Sequence, residues 1–454
     1  MESKLRQFDE VADETKSESR TPFERDRDRV LYSSAFRRLA GVTQVAAAHE
    51  RQLLHNRLTH SLKVAQIGRR MAQRVIHPVY GNPALKAFID PDVVETAGLA
   101  HDLGHPPFGH SSEKVLNEQL KDCDGFEGNA QSFRIVTKLS VIRHTHLGLN
   151  LTGRTLAAIL KYPNARSEVA DVAERRREAD ANYWWNRAYG KKWGYYRSET
   201  AAFEYARGKY INRQDVIRYE RSPEAIIMDW ADDISFATHD IEDYFRAGLI
   251  PLHDLESFES DLAQYGRKLL GTEPGFDPDT FREAYRELTS RSPIDSAFQY
   301  SREDRQATHD FTSSTITFLS SGLVEINEPP WVAVSETAQY VAEYLKTLTR
   351  YFVIDSPPTA IARQGQVRIL QELFEQLLDW ARDDPASPRI PRMLRSMLSL
   401  ELRDPETFAR YGDMDRLAKV STADYICSLT EAQTVDLARR FSGIESASMF
   451  GAWF

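Results

Sequence analysis

The sequence predicts an all-α protein on three observations. Apolar residues recur at helical spacing in several separate segments, and no long stretch alternates polar with apolar residues as a strand does. Helix start and stop signals (Ser335-Glu336, Gly104, Pro106-Pro107) bound those segments. At 454 residues, 41% of them hydrophobic, the chain can build one large domain or two ordinary ones. Mean hydropathy of −0.50 describes a globular chain with a well-charged surface.

Taken in order, residues 1–21 alternate charge with Ser and Thr and lack an apolar run, which predicts a mobile arm and not a secretory signal. Leu58, Leu62, Ala65, Ile67 or Gly68, Met71 and Val75 predict a helix over 57–75. Val93, Val94, Ala97, Leu99 and Ala100 predict a buried helix, which Gly104 and the two prolines stop because proline lacks the backbone donor. Residues 163–200 are dense in charge and aromatics, including Arg175-Arg176-Arg177, Tyr183-Trp184-Trp185 and Lys191-Lys192-Trp193. They form either a surface hairpin pinned by aromatics or a basic flap over an anionic substrate. A helix is predicted over 226–245. The polar 271–330 stretch is expected to be an insertion or lid, with a short extended piece near 316–324. Ala338, Val341, Leu345, Leu348 and Phe352, then Val367, Leu370, Phe374, Leu377 and Ala381, mark two further helices. The expected organisation is an arm (1–21), a core (22–245) with the 163–200 flap inserted, and a C-terminal helical region (246–454) packed on the core.

Net charge is −9, the wrong sign for a dedicated nucleic-acid binder. Basic clusters gather nonetheless in the first 70 residues (Arg25, Arg27, Arg29, Arg37-Arg38, Arg51, Arg57, Arg69-Arg70), as solvated helix faces or as a phosphate-binding wall of which Arg57 is the best candidate. Two cysteines, Cys123 and Cys427, exclude a disulfide framework and point to a reducing, cytoplasmic setting. No apolar run approaches the ~20 residues of a membrane span, so no membrane partner is expected.

The chemistry concentrates in Ala100-His101-Asp102-Leu103-Gly104-His105-Pro106-Pro107-Phe108-Gly109-His110. A helix end presenting His-Asp into a Gly/Pro turn is half of a metal site. His60 offers a third ligand from the 57–75 helix. On the 226–245 helix, Asp229, Asp232, Phe236, Asp240 and Asp243 form one stripe, with Ile227, Ala231, Ile234, Ile241 and Phe245 largely opposite. Such a stripe repels itself unless it is solvated or faces a cation. Asp232, beside Ala231 and Ile234, is the member suited to partial burial and is the fourth ligand. Two imidazoles and two carboxylates suit Mn²⁺, Fe²⁺, Ni²⁺ or Mg²⁺ better than structural zinc, and leave positions open for water and substrate.

This set resembles the HD-domain metal-dependent phosphohydrolases, and the flanking blocks resemble the deoxyguanosine triphosphate triphosphohydrolase-like branch. Those blocks are Phe36-Arg37-Arg38-Leu39 with Thr43-Gln44-Val45, Arg57-Leu58-Thr59-His60-Ser61, the His101–His110 run with Glu113, Phe126-Glu127-Gly128-Asn129-Ala130-Gln131, and Ala231-Asp232-Asp233-Ile234, together spanning about residues 30 to 245. The resemblance implies an HD-domain helical core that hydrolyses a deoxynucleoside triphosphate, dGTP foremost, to deoxynucleoside and inorganic tripolyphosphate. It implies one divalent ion (Mn favoured; Mg, Fe, Ni and Co not distinguished) on His60, His101, Asp102 and Asp232. His110, supported by Glu113, would be the general acid/base, and His105 and Arg57 would contact phosphate. Gln44 and Asp240 would bond the sugar 3′-hydroxyl, with Val45 and Phe236 against the deoxyribose; several relatives carry tyrosine at Phe236. His105 and His110 could instead stabilise the turn through backbone carbonyls. A homo-oligomer, hexameric in some relatives, is also implied. The alternatives are a phosphatase or phosphodiesterase acting on another nucleotide, and a regulatory protein responsive to nucleotide or single-stranded DNA.

Overall fold

In a computed structural model, residues 6–8, 19–43, 55–143, 146–179, 183–211, 220–290, 292–403 and 412–443 are described. They are overwhelmingly helical, and among them the sheet consists of two short antiparallel strands, Leu323–Glu325 and Val332–Val334.

Three helices frame the site. The Arg57–Val75 helix starts where Asn56 accepts a bond from Thr59 N and Thr59 answers on the Asn56 backbone, a reciprocal cap. The Pro91–Ala100 helix begins at a proline behind an Asp90 cap and ends at His101. The 24-residue Pro223–Arg246 helix is capped by Ser222. Each packs on the other two, and Val64, Ala65, Met71, Val93, Val94, Ala97, Ile227, Ala231 and Ile234 fill the space between them. Of the predicted face of the first helix, Ala65, Gly68, Met71 and Val75 are buried, while Leu62 is exposed and Ala72 joins the buried side.

Several expectations are corrected. The arm is not free at Arg6, whose guanidinium pairs with buried Asp26 at 2.6 Å and donates to Asn150 O. Residues 271–330 are no polar lid: they contain the Pro278–Ser290 and Arg302–Ser321 helices. The second of these covers most of the expected extended piece, so only Leu323–Glu325 is strand. The aromatics of 163–200 face inward, with Tyr183, Trp184, Tyr189, Trp193, Tyr195 and Tyr196 all buried.

Residues beyond 246 divide between two cores. The Glu336–Thr349 helix packs on Pro223–Arg246 and joins the main core. The Pro357–Asp383, Arg392–Leu402, Met414–Ile426 and Glu431–Phe441 helices build a second core that includes Val115, Leu116 and Phe126. Its foundation is therefore the His110–Gln119 helix. A buried ion network ties the parts together: Arg134 reaches Glu199 (2.6 Å), Glu401 (2.7 Å) and Asp424 (2.8 Å), and Lys138 reaches Glu401 (2.8 Å).

No described helix is long and apolar enough to cross a membrane.

Candidate metal centre and active site

Four side chains from the three framing helices converge. His60 Nε2 lies 3.0 Å from Asp232 Oδ1, and His101 Nε2 lies 3.5 Å from both Asp232 Oδ1 and Asp102 Oδ1. The His101 Nδ1–H donates to Gly98 O at 2.7 Å, which orients the ring with Nε2 toward the carboxylates. That buried nitrogen has no hydrogen-bond partner. Burial alone would lower the pKa of His101, but the charges of Asp102 and Asp232 outweigh it and push it up to about 9. Both carboxyls are held well below the usual range, against burial, by Arg57 and His101 at Asp102 and by Lys161 and His101 at Asp232. Two ionised carboxylates thus call for positive charge at the point where two imidazole nitrogens meet. A divalent ion fits this donor set.

Beside the centre stands a second group. Phe108 and Gly109 adopt positive φ (64° and 58°), a reversal that costs glycine little, and they start the next helix at His110. His110 Nδ1–H donates to Glu113 Oε2 at 2.6 Å, and its side chain is 65% exposed, so Nε2 faces outward. Glu113 Oε1 lies 3.3 Å from His105 Nε2, while His105 Nδ1 lies 2.9 Å from Asp102 Oδ1. Both histidines therefore engage carboxylates, not the backbone carbonyls that a turn-stabilising role required. The Glu113 carboxyl is held well below its ordinary value, against burial, by His110 and His105. Burial and Arg57 lower the pKa of His105. A Cβ on Gly128 would press on Glu113 Oε1, so a larger residue there would displace the Glu113 carboxylate from its place between the two histidines.

Centre and pair open on one cavity of about 270 Å³, lined also by Arg57, Phe236, Asn129, Lys161, Lys192 and Arg363. Arg57 donates to Asp102 Oδ2 at 2.7 Å while facing that cavity. Asp240, two turns beyond Asp232, is buried and is not among the described lining; burial and Asp243 push its carboxyl well above the usual range. Gln44 and Val45 lie outside the described residues. The carboxylate stripe is relieved one member at a time: Asp229 pairs with Lys161 and Arg221, and Asp243 accepts from His55 N and Nδ1. Of the basic clusters, Arg27 and Arg69 pair with Asp92 and Glu95 of the neighbouring helix, and Arg38 clamps the carbonyls of Leu103 and His105. Arg27, Arg38 and Arg69 are thus structural clamps; among the described members of these clusters Arg57 alone lines the cavity, and Arg51 lies outside the described residues.

Some residues escaped the sequence reading. Lys161 Nζ lies 2.8 Å from Asp232 Oδ2, and Lys346 and Arg363 join the cavity from beyond residue 300. Glu431 accepts from Thr43 N (3.0 Å) and Phe108 N (3.1 Å), bracing the turn before His110 from the last described helix. Lys192 had a signal, the basic aromatic segment that carries it.

Comparison with known proteins agrees with this geometry. The model of the HD domain family matches residues 57–237. A deoxyguanosinetriphosphate triphosphohydrolase-like protein of Streptomyces coelicolor is 41% identical over 52% of this chain, and the match takes in 50% of that protein. Proteins of the same name from Corynebacterium efficiens (32% identical, 94% of this chain, 92% of the relative) and Vibrio parahaemolyticus (30% identical, 94% and 95%) align almost end to end. With the ligand-bearing helices inside the matched domain and the likeness running through both cores, the chain belongs to the deoxyguanosinetriphosphate triphosphohydrolase-like family of HD-domain proteins.

Proposed function

We propose that this chain is a divalent-metal-dependent hydrolase of deoxynucleoside triphosphates, dGTP foremost, releasing deoxynucleoside and inorganic tripolyphosphate. The observation that carries this reading is the meeting of His60, His101, Asp102 and Asp232 beside the His110–Glu113 pair, on a cavity ringed by Arg57, Lys161, Lys192, Lys346 and Arg363. Five cations suit a polyanion whose charge must be neutralised before an anionic centre can be attacked. The family relationship narrows the polyanion to a nucleoside triphosphate.

The four ligands would hold one divalent ion, Mn²⁺ in this reading, which supplies Lewis acidity and a water of lowered pKa when bound. Arg57 offers a guanidinium fork, held in place by Asp102, to the phosphate oxygens. His105, between Asp102 and Glu113, faces the α-phosphate. Glu113 fixes the His110 ring through Nδ1, so that, as water oxygen bonds to Pα and the Pα–O5′ bond breaks, Nε2 is the atom that passes a proton to the departing 5′-oxygen. Phe236 packs against the deoxyribose and leaves a 2′-hydroxyl unpaired, which costs about 1–3 kcal/mol.

Chromatographic product analysis with Mn²⁺ and a panel of dNTPs and NTPs tests the reading. Deoxynucleoside and tripolyphosphate in equal amounts are expected, with dGTP fastest. Release of orthophosphate or pyrophosphate, or undiminished turnover after chelation of all metal, would overturn it.

A further inference from the structure

We propose that the active-site cavity adjoins a second chamber that binds inorganic polyphosphate and so holds tripolyphosphate after the deoxynucleoside has left; the product's identity rests on the triphosphohydrolase reading above. A second cavity of about 270 Å³ shares Lys161, Tyr162, Lys192, Asp233 and Lys346 with the first as a common boundary. Beyond that boundary it adds Arg187, Lys191 and Arg221, and neither His105 nor His110 lines it. An anion seated there lies outside the group that would carry out hydrolysis.

Charge decides the class of occupant. Six cations line the chamber against three carboxylates, Asp229, Asp233 and Glu343, in a chain whose net charge is −9. Each carboxylate is already engaged: Asp229 by Arg221 and Lys161, Asp233 by Lys346, and Glu343 by Arg187 at 2.6 Å. Lys191 is exposed and has no ion-pair partner among the described residues. Lys192 pairs with Glu127, at 3.3 Å, from outside the chamber. Lys161 divides itself between Asp229 and Asp232, and a divalent ion on Asp232 competes for that same carboxylate. Loading the metal therefore deepens the positive excess. Lys346 stands 4.6 Å from the Trp185 ring and Arg221 5.3 Å from the Tyr189 ring, so the aromatic walls themselves carry cations into the chamber. A compact multivalent anion suits that excess, and a phosphate chain fits guanidinium and ammonium donors of this kind.

The test is calorimetric titration of inorganic tripolyphosphate into the Mn²⁺-loaded full chain, beside dGTP kinetics, for the wild type, Lys191→Glu and Arg187→Gln. Lys191→Glu alters an exposed side chain and spares the fold. It should weaken tripolyphosphate binding by about tenfold (about 1.4 kcal/mol) and leave the KM for dGTP unchanged. Arg187→Gln should act in the same direction. Unchanged tripolyphosphate affinity in both variants would overturn the chamber, and so would equal losses in tripolyphosphate affinity and KM, which would make it the substrate's own phosphate site. If the wild type binds tripolyphosphate in a Lys191-dependent way yet hydrolyses no dNTP, the chamber stands and the activity reading falls.

Discussion

Asp232→Asn replaces a carboxylate by an amide where Oδ1 lies 3.0 Å from His60 Nε2 and 3.5 Å from His101 Nε2. Only two carboxylates, Asp102 and Asp232, face that point, so the change removes half of the negative charge offered to the ion. Unit charges about 4 Å apart interact by roughly 4 kcal/mol at an effective dielectric constant near 20. The amide oxygen remains a weak ligand and recovers part of this. Lys161, 2.8 Å from Oδ2, then stands against the ion without the carboxylate between them, which offsets that recovery. The expected loss of Mn²⁺ affinity is at least about a hundredfold, about 2.8 kcal/mol. Asp233→Asn, one residue along, is the control. Asp233 pairs with Lys346 instead of the imidazoles, and its loss should stay within about fivefold, the range of a partly exposed ion pair. Mn²⁺ affinity measured by competition with a chelator, with circular dichroism to verify folding, reads both variants without any assay of turnover. Equal losses in the two variants, or wild-type affinity in Asp232→Asn, would refute the assignment of the fourth ligand.

Four further outcomes follow from the same geometry. His110→Ala should keep metal affinity and lower kcat by about 10²- to 10⁴-fold; loss of metal instead would show that His110 belongs to the centre. Gly128→Ala presses a methyl on Glu113 Oε1, so it should lower kcat with metal binding intact, and unchanged kinetics would show that Glu113 does not orient His110. The depressed pKa of Glu113 contributes stability that is complete above its unfolded value, about 4.3, and is lost as pH falls through the lower folded value. The melting-temperature gap between the wild type and Glu113→Gln should therefore still be present at about pH 5 and close only in more acid solution; a gap already closed at about pH 5 contradicts the assignment. Arg134→Met leaves Glu199, Glu401 and Asp424 buried around a neutral side chain and should cost about 3–5 kcal/mol in urea unfolding, whereas a loss below about 1 kcal/mol would mean that the network is not what joins the parts.

The meeting of His60, His101, Asp102 and Asp232 was legible because each sits on a helix or at its end, where period and punctuation fix the place of a side chain. The stripe containing Asp232 could be drawn from spacing alone, and burial of Ile227, Ala231, Ile234, Ile241 and Phe245 follows it. Chain distance hid the rest. Glu431 stands 388 residues from Thr43, and nothing local marks it as the brace of the turn before His110. Lys161 and Lys346 come from elements whose packing against Pro223–Arg246 is a tertiary fact. The Arg302–Ser321 helix was misread for a different reason. Its inner face is Thr308, Phe311, Thr312, Thr315 and Leu319, at helical intervals but rich in β-branched residues with strand preference. The hydroxyl of Thr308 bonds the carbonyl of Asp304 at 2.7 Å, so a polar residue serves a buried face without an orphaned donor.

The C-terminal helices bear on the chemistry more directly than an added layer would. Their core rests on Val115 and Leu116 of the helix that begins with His110 and contains Glu113. Glu431 holds the Phe108 amide ahead of that helix, and Asp424 anchors Gln131 and Arg134 just past Gly128. The His110–Glu113 pair is thus gripped from both ends by residues the HD-domain match at 57–237 does not reach. His60, His101, Asp102 and Asp232 come from helices that pack on one another, and all four lie within the matched domain. Damage to the second core should consequently fall on the orientation of His110 before it reaches the metal centre, because the ligand-bearing helices keep their shared apolar core while the His110–Gln119 helix loses its far support.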